Sequence, residues 1–203
     1  MSKDMLDVSA LAGVAGPLKD FAEKLGGDDG PVWLAGFKRF LRKENPWNPM
    51  ALWRILTIGG ASKDELLKQF GDDFYVSNWA KDIMSKPEFT TLSEPTEIQL
   101  ARVKVKDLGF TEMPTTTKLF ARVKEVGSLC PAEVGPHLRL AMKDQPKGDW
   151  FSVAMEPITD SDGYPYVFFI YRDGDGRRWL NTHCAYPDDR WDLENGVVFC
   201  LSK

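Results

Sequence analysis

A chain of 203 residues with 43% hydrophobic and 28% charged side chains has the make-up of a folded globular protein, which excludes fibrous and intrinsically disordered classes. Its formal net charge of −4 also speaks against nucleic acid as the main partner, because phosphate contacts require a basic excess.

The opening MSKDMLDVSALAGVAGPLKDF carries early acids and only a short apolar run, so neither a signal peptide nor a membrane span is expected. Residues 1–30 read as a weakly ordered segment with a weak helix, ending in the turn cluster GGDDGP. A helix is predicted from Pro31 through PVWLAGFKRFLRK, since proline suits a first turn. Trp33, Phe37, Phe40 and Leu41 share one helical face, with Lys38, Arg39, Arg42 and Lys43 mostly opposite. ENPWNP then stops that helix.

LWRILTIGG predicts a short strand closed by two glycines. SKDELLKQF predicts a helix with Ser62 and Glu65 in capping-box spacing, and DDFYVSNWAKDIM a second helix with Val76, Trp79 and Ile83 on one side. The pair has the length of a helix-turn-helix, but Asp72, Asp73 and Asp82 on its outer face would repel phosphate. EIQLARVKVKDLG alternates as a strand does, and TTTKLFARVKEVG places Leu119, Phe120, Val123 and Val126 on one helical face.

From Trp150 onward no helical period is visible. WFSVAMEPI and GVVFCLS read as strands, and residues 164–172 and 177–185 as an antiparallel hairpin across Asp173–Gly176. The expected fold is α+β: a mainly helical part over 31–90, then over 91–203 a mixed or antiparallel sheet with one packed helix, the boundary lying near 87–96.

The stretch LCPAEVGPHLRL gathers a thiol, a carboxylate, an imidazole and a guanidinium. Pro131, Gly135 and Pro136 predict a rigid bend leading into a strand near Leu138, locked by a Glu133–Arg139 ion pair. A sharper alternative is a small hydrolase or transferase, with Glu133, His137, Arg139 and Glu156 around a carboxylate and arginine pocket. Cys130 with His183 would be the minimum for a thiol nucleophile, but Cys130 between leucine and proline suits a buried apolar site. The Asp and Gly residues of TDSDG and RDGDG lack the spacing of a calcium loop and read as turns. Neither His137 and His183 nor the three cysteines have zinc-site spacing, so no metal and no cofactor are expected. Three scattered cysteines without an export signal predict reduced thiols in a cytoplasm.

Tyr164, Tyr166, Arg172, Arg177, Arg178, Trp179 and Trp191 give the last third the aromatic and arginine content of interaction surfaces. The leading expectation is therefore a non-enzymatic cytosolic module that engages a protein partner, with no membrane and no nucleic acid involved.

With RFLRKENPW, NWAKDIMSKPEF, LCPAEVGPHLRL, AMEPITDSDG and the closing DDRW and VVF in view, the chain from about Trp33 to its end resembles a family of uncharacterised bacterial proteins from candidate-phylum genomes. The resemblance implies a bacterial cytosolic protein. It carries no catalytic residue and no ligand across.

Overall fold

The computed structural model describes residues 15–27, 30–41 and 50–201. The chain divides into two compact units, Met1–Asn48 and Pro49–Lys203. In the first unit, helices α1 (Ala15–Leu25) and α2 (Gly30–Leu41) pack together, with the Phe21 and Phe37 rings 4.8 Å apart. Lys24 lies over the Trp33 ring and also pairs with Asp20 one turn back. The predicted stop signal ENPWNP and residues 1–14 fall outside the described residues.

The second unit is built on one eight-stranded sheet. Its strands are β1 (Arg54–Ile58), β2 (Phe74–Val76), β3 (Thr96–Lys104), β4 (Trp150–Val153), β5 (Ile158–Thr159), β6 (Pro165–Arg172), β7 (Arg178–Cys184) and β8 (Gly196–Cys200). The order is β1-β3-β8-β4-β6-β7-β2, with β5 pairing β6 outside this path. Pairing is antiparallel except for β4 with β8 and β2 with β7, so the sheet is mixed. Helices α3 (Lys63–Gln69), α4 (Asn78–Ser85), α5 (Thr116–Val126) and α6 (Val134–Ala141) complete the unit.

The expected strands at LWRILTIGG and EIQLARVKVKDLG form and pair with each other, Arg54 opposite Leu100. The expected hairpin also forms, running from Tyr166 opposite Cys184 to Arg172 opposite Arg178. The capping box at Ser62 and Glu65 is present. The α+β class therefore holds.

A helical part followed by a sheet does not describe the arrangement. β1 and β2 lie within residues 31–90 and belong to the same sheet as the later strands. The segment DDFYVSNWAKDIM is not one helix either. Its FYV pairs with β7, and Ser77 then caps α4 by accepting from the Ala80 amide. A strand between α3 and α4 removes the likeness to a helix-turn-helix. More than one helix packs on the sheet.

Cross-strand pairing sorts the side chains by face. On one face stand Phe151, Phe168, Ile170, Leu180 and Val198, all buried. Helix α6 covers this face, and a Cβ on Gly135 would come within 2.4 Å of the Phe168 ring. Only glycine permits the helix to sit so low. On the opposite face Phe199, Val197 and Ser152 follow one another by pairing and alternation. Gly127, which ends α5, rests on Phe199 there. On that face Trp191 packs between Phe120 of α5 and His183 of β7, while Tyr75 and Trp150 stand partly exposed.

Candidate functional site

The stretch LCPAEVGPHLRL is not a bend into a strand. Residues 134–141 form α6, and the proline falls in its first turn, where an amide has no partner inside the helix. Glu133 and Arg139 do not pair. The Glu133 carboxylate is buried and accepts from the Gly59 amide (3.1 Å) and the Leu92 amide (2.9 Å). It also faces His137 Nε2 at 3.4 Å. Burial pushes the imidazole of His137 below its ordinary value, and Glu133 opposes that shift. The carboxylate thus joins two loops, after β1 and before β3. Gly59 meets it at φ +82°, where a Cβ would come within 2.4 Å of the Glu94 carbonyl oxygen.

Arg139 is fully buried and donates to Gln145 Oε1, to the Met142 carbonyl and to the Tyr171 carbonyl. The Met142 bond satisfies a carbonyl at the C-terminal end of α6, where a cation is also favoured by the helix dipole. Burial lowers the guanidinium to about 10, with Arg178 and Arg172 adding to the shift and Asp149 opposing it. Gln145 passes the network on to Asp149, which holds Arg102 through both carboxylate oxygens. Glu156 stands elsewhere, exposed and paired with Lys124 at 2.9 Å. Glu133, His137, Arg139 and Glu156 line neither of the two concavities described below. Cys130 and His183 likewise have separate partners: the Cys130 sulfur lies 3.5 Å from that of Cys200, and His183 Nδ1 lies 3.0 Å from Ser152 Oγ. All three cysteines are free thiols, and burial raises the pKa of Cys130 well above its ordinary value.

The residues expected to form one binding surface fall into four places. Trp191 is 1% exposed, and its indole donates to Thr116 Oγ1. Arg172 and Arg178 face each other across the hairpin end and give their guanidinium groups to the Gln145 and Lys143 carbonyls. Tyr164 and Tyr166 cluster with Tyr186 near β5. Trp179 and Arg177 stand by the open half of the sheet.

There the register builds a row. Tyr75 of β2 pairs with Trp179 of β7, Trp179 with Tyr171 of β6, and Tyr171 with Trp150 of β4. Tyr75 stacks on Trp179 at 5.0 Å, and Trp179 on Tyr171 at 5.7 Å with the planes 3° apart. Phe169, one rung along, touches both Tyr171 and Trp150. Tyr75 and Trp150, at the two ends, are 42% and 38% exposed. The turn at the hairpin tip fixes the middle ring, because Asp173 accepts from the Trp179 indole (3.0 Å) and from the Arg177 amide. Arg177 lies over the Tyr75 ring.

Two concavities of about 490 Å³ flank Trp150. One is charged but internally paired, with Arg102 on Asp149 and Lys104 on Glu194. The other is lined by Trp150, Phe169, Tyr171, Asn181, Thr182, His183 and Asn195, with no acid, lysine or arginine among them. No protein-family model matches the chain, and no curated protein or solved structure is significantly similar to it. Among the described residues no helix is long and apolar enough to cross a membrane.

Sequence reasoning singles out Trp179 and Arg177. It misses Tyr75, Trp150, Phe169, Asn181 and Asn195 as site residues. Tyr75 falls inside a predicted helix, and Trp150 becomes its neighbour only through the pairing of four strands.

Proposed function

We propose that this chain is a cytoplasmic, non-enzymatic binding module that engages a protein partner through the Tyr75–Trp179–Tyr171 end of its open sheet face, with Arg177 at the rim. The observation that carries this reading is the row of rings set side by side across β2, β7, β6 and β4 and left partly open to solvent. Large rigid rings with an arginine beside them supply much contact area at little entropic cost, which is the make-up of interface hot spots. The row is held in place before any partner arrives, since the Asp173 bond and the stacking fix Trp179. The titratable groups of LCPAEVGPHLRL, by contrast, spend their hydrogen bonds on the protein's own backbone and amides.

The test is affinity capture from the cells that make the protein, with the wild type beside Tyr75→Ala and Arg177→Glu. Proteins held by the wild type and lost from both variants, with the circular dichroism spectrum unchanged, support the reading. Equal capture by all three would overturn it.

A further inference from the structure

The uncharged concavity beside Trp150 lies at the other end of the row from Arg177, and what it holds follows from its own lining. We propose that it seats an uncharged, hydroxyl-rich ring: one or two sugar units of a carbohydrate. This site is separate from the protein-docking end, although both use Tyr171, and it stands if that reading fails.

Three features select the ligand. The wall is aromatic: Trp150, Phe169 and Tyr171 touch in sequence, and Trp150 keeps 38% of its surface open. An aromatic face is negative, and the C–H face of a sugar ring is weakly positive, so the two stack while the ring's hydroxyls point sideways. The polar groups form the second feature. Asn181 Oδ1 is used by the Thr182 amide, while its Nδ2 bonds to no described residue. The Asn195 carboxamide is wholly unbonded to described residues, and so is His183 Nε2. Carboxamides offer donors and acceptors together, as hydroxyl groups do, and suit neighbouring hydroxyls that must give and accept at once. Ser152 on Nδ1 holds the imidazole in place, and burial keeps it neutral.

The third feature is the missing charge. No lysine, arginine, aspartate or glutamate lines the concavity, so a phosphate or carboxylate would find no counter-ion. A nucleotide would stack its base there but leave its phosphate unpaired. A purely apolar ligand would strand Asn181, Asn195 and His183 away from water. The volume of about 490 Å³ lies within the range of small-ligand sites and suits one or two rings.

The experiment is an array of immobilised neutral oligosaccharides containing glucose, galactose, mannose and N-acetylglucosamine, followed by titration of the best one while the tryptophan fluorescence is read. Adenosine and oligo(dT) serve as competitors. At least one neutral sugar is expected to bind saturably and shift the emission, with Asn181→Ala and Asn195→Ala each weakening it by about tenfold. Trp150→Ala should abolish binding. Melting curves of the two asparagine variants should match the wild type, which separates a lost ligand contact from a lost fold. Silence across the array, binding that survives both asparagine changes, or displacement by adenosine or oligo(dT) would each overturn the proposal. Protein capture at the Tyr75 end would be unaffected by any of these results.

Discussion

The two faces of the sheet use the same strands to opposite ends. Under α6, glycine at 135 lets helix and sheet touch, and two buried charges are held by backbone: Glu133 by two amides, Arg139 by a carbonyl at the end of its own helix, although the Arg139 Nε finds no partner among the described residues. On the other face Phe120 of α5 packs on the buried Trp191, and rings as large as Tyr75 and Trp150 remain partly in water. Buried polar groups that find hydrogen-bond partners rigidify a core, whereas exposed aromatics add little stability and leave contact area for something else. The difference teaches that charge-rich sequence can be scaffold, and that the neutral, aromatic face is where a ligand is to be sought.

The sharpest way to break this division is to lift α6. A side chain at 135 must displace Phe168, whose ring atoms stand 2.4 Å from where its Cβ would lie. Gly135→Val should lower stability by about 3 kcal/mol, read from the urea midpoint. A variant as stable as wild type would show that the helix is not closely seated. Next comes the arginine. Arg139→Ala leaves Gln145, Met142 and Tyr171 without their donor and opens a hole, and should cost about 2–3 kcal/mol by the same measurement. Arg139→Lys should recover only part, since an ammonium cannot reach three acceptors in a fork. Full recovery would mean that charge alone matters there.

Acid should act on the network at Asp149. Burial raises this carboxyl, but the Arg102 pair and the Gln145 bond outweigh it, so it sits below the ordinary carboxylate value. A carboxyl lowered in the folded state adds stability that is present at neutral pH and is lost as the pH falls through the folded value. Asp149→Asn should therefore cost about 1 kcal/mol at pH 7, and the gap between the two proteins should close as the pH falls below the ordinary carboxylate value and through the folded one. A constant gap between them across that range would assign the cost to shape, not to charge.

How much of this is legible in the sequence depends on the length of each element. The 165–184 hairpin shows because two long β-rich runs flank a glycine-rich turn, and its register alone sets Trp179 opposite Tyr171. The helix α6 is hidden. It has eight residues, and Val134, Gly135, Pro136, Leu138 and Arg139 are all buried, so no polar stripe marks its period, and LRL imitates a strand. β2 is hidden for a different reason: three residues are too few to show alternation, and the helix periodicity of α4 runs across them. Losing β2 loses Tyr75, and with it the end of the row. Glu133 and Arg139 look like partners because they are close in sequence. Loops 74 and 41 residues away take the carboxylate instead, and no local pattern records that.

The smallest stability effect, and the most telling for the comparison, belongs to Tyr75. β2 is kept by its pairing with β7 and by the Ser77 amide, which donates to the Leu180 carbonyl. Its neighbour in sequence points to the other face: Phe74 meets Phe70 and lies under the Arg139 guanidinium. Removing the Tyr75 ring should therefore leave the closed face untouched. What goes is one stacked contact with Trp179 and the cover over it by Arg177, in a side chain already 42% exposed. Tyr75→Ala should cost less than about 1 kcal/mol in urea denaturation. Partner binding through this end should fall by about tenfold or more, as for an anchoring ring at an interface. A marked drop in the urea midpoint would show that the open face helps hold the fold together, and would sink the division of labour between the two faces. A stable variant that keeps its partner would preserve the division and remove Tyr75 from the docking end.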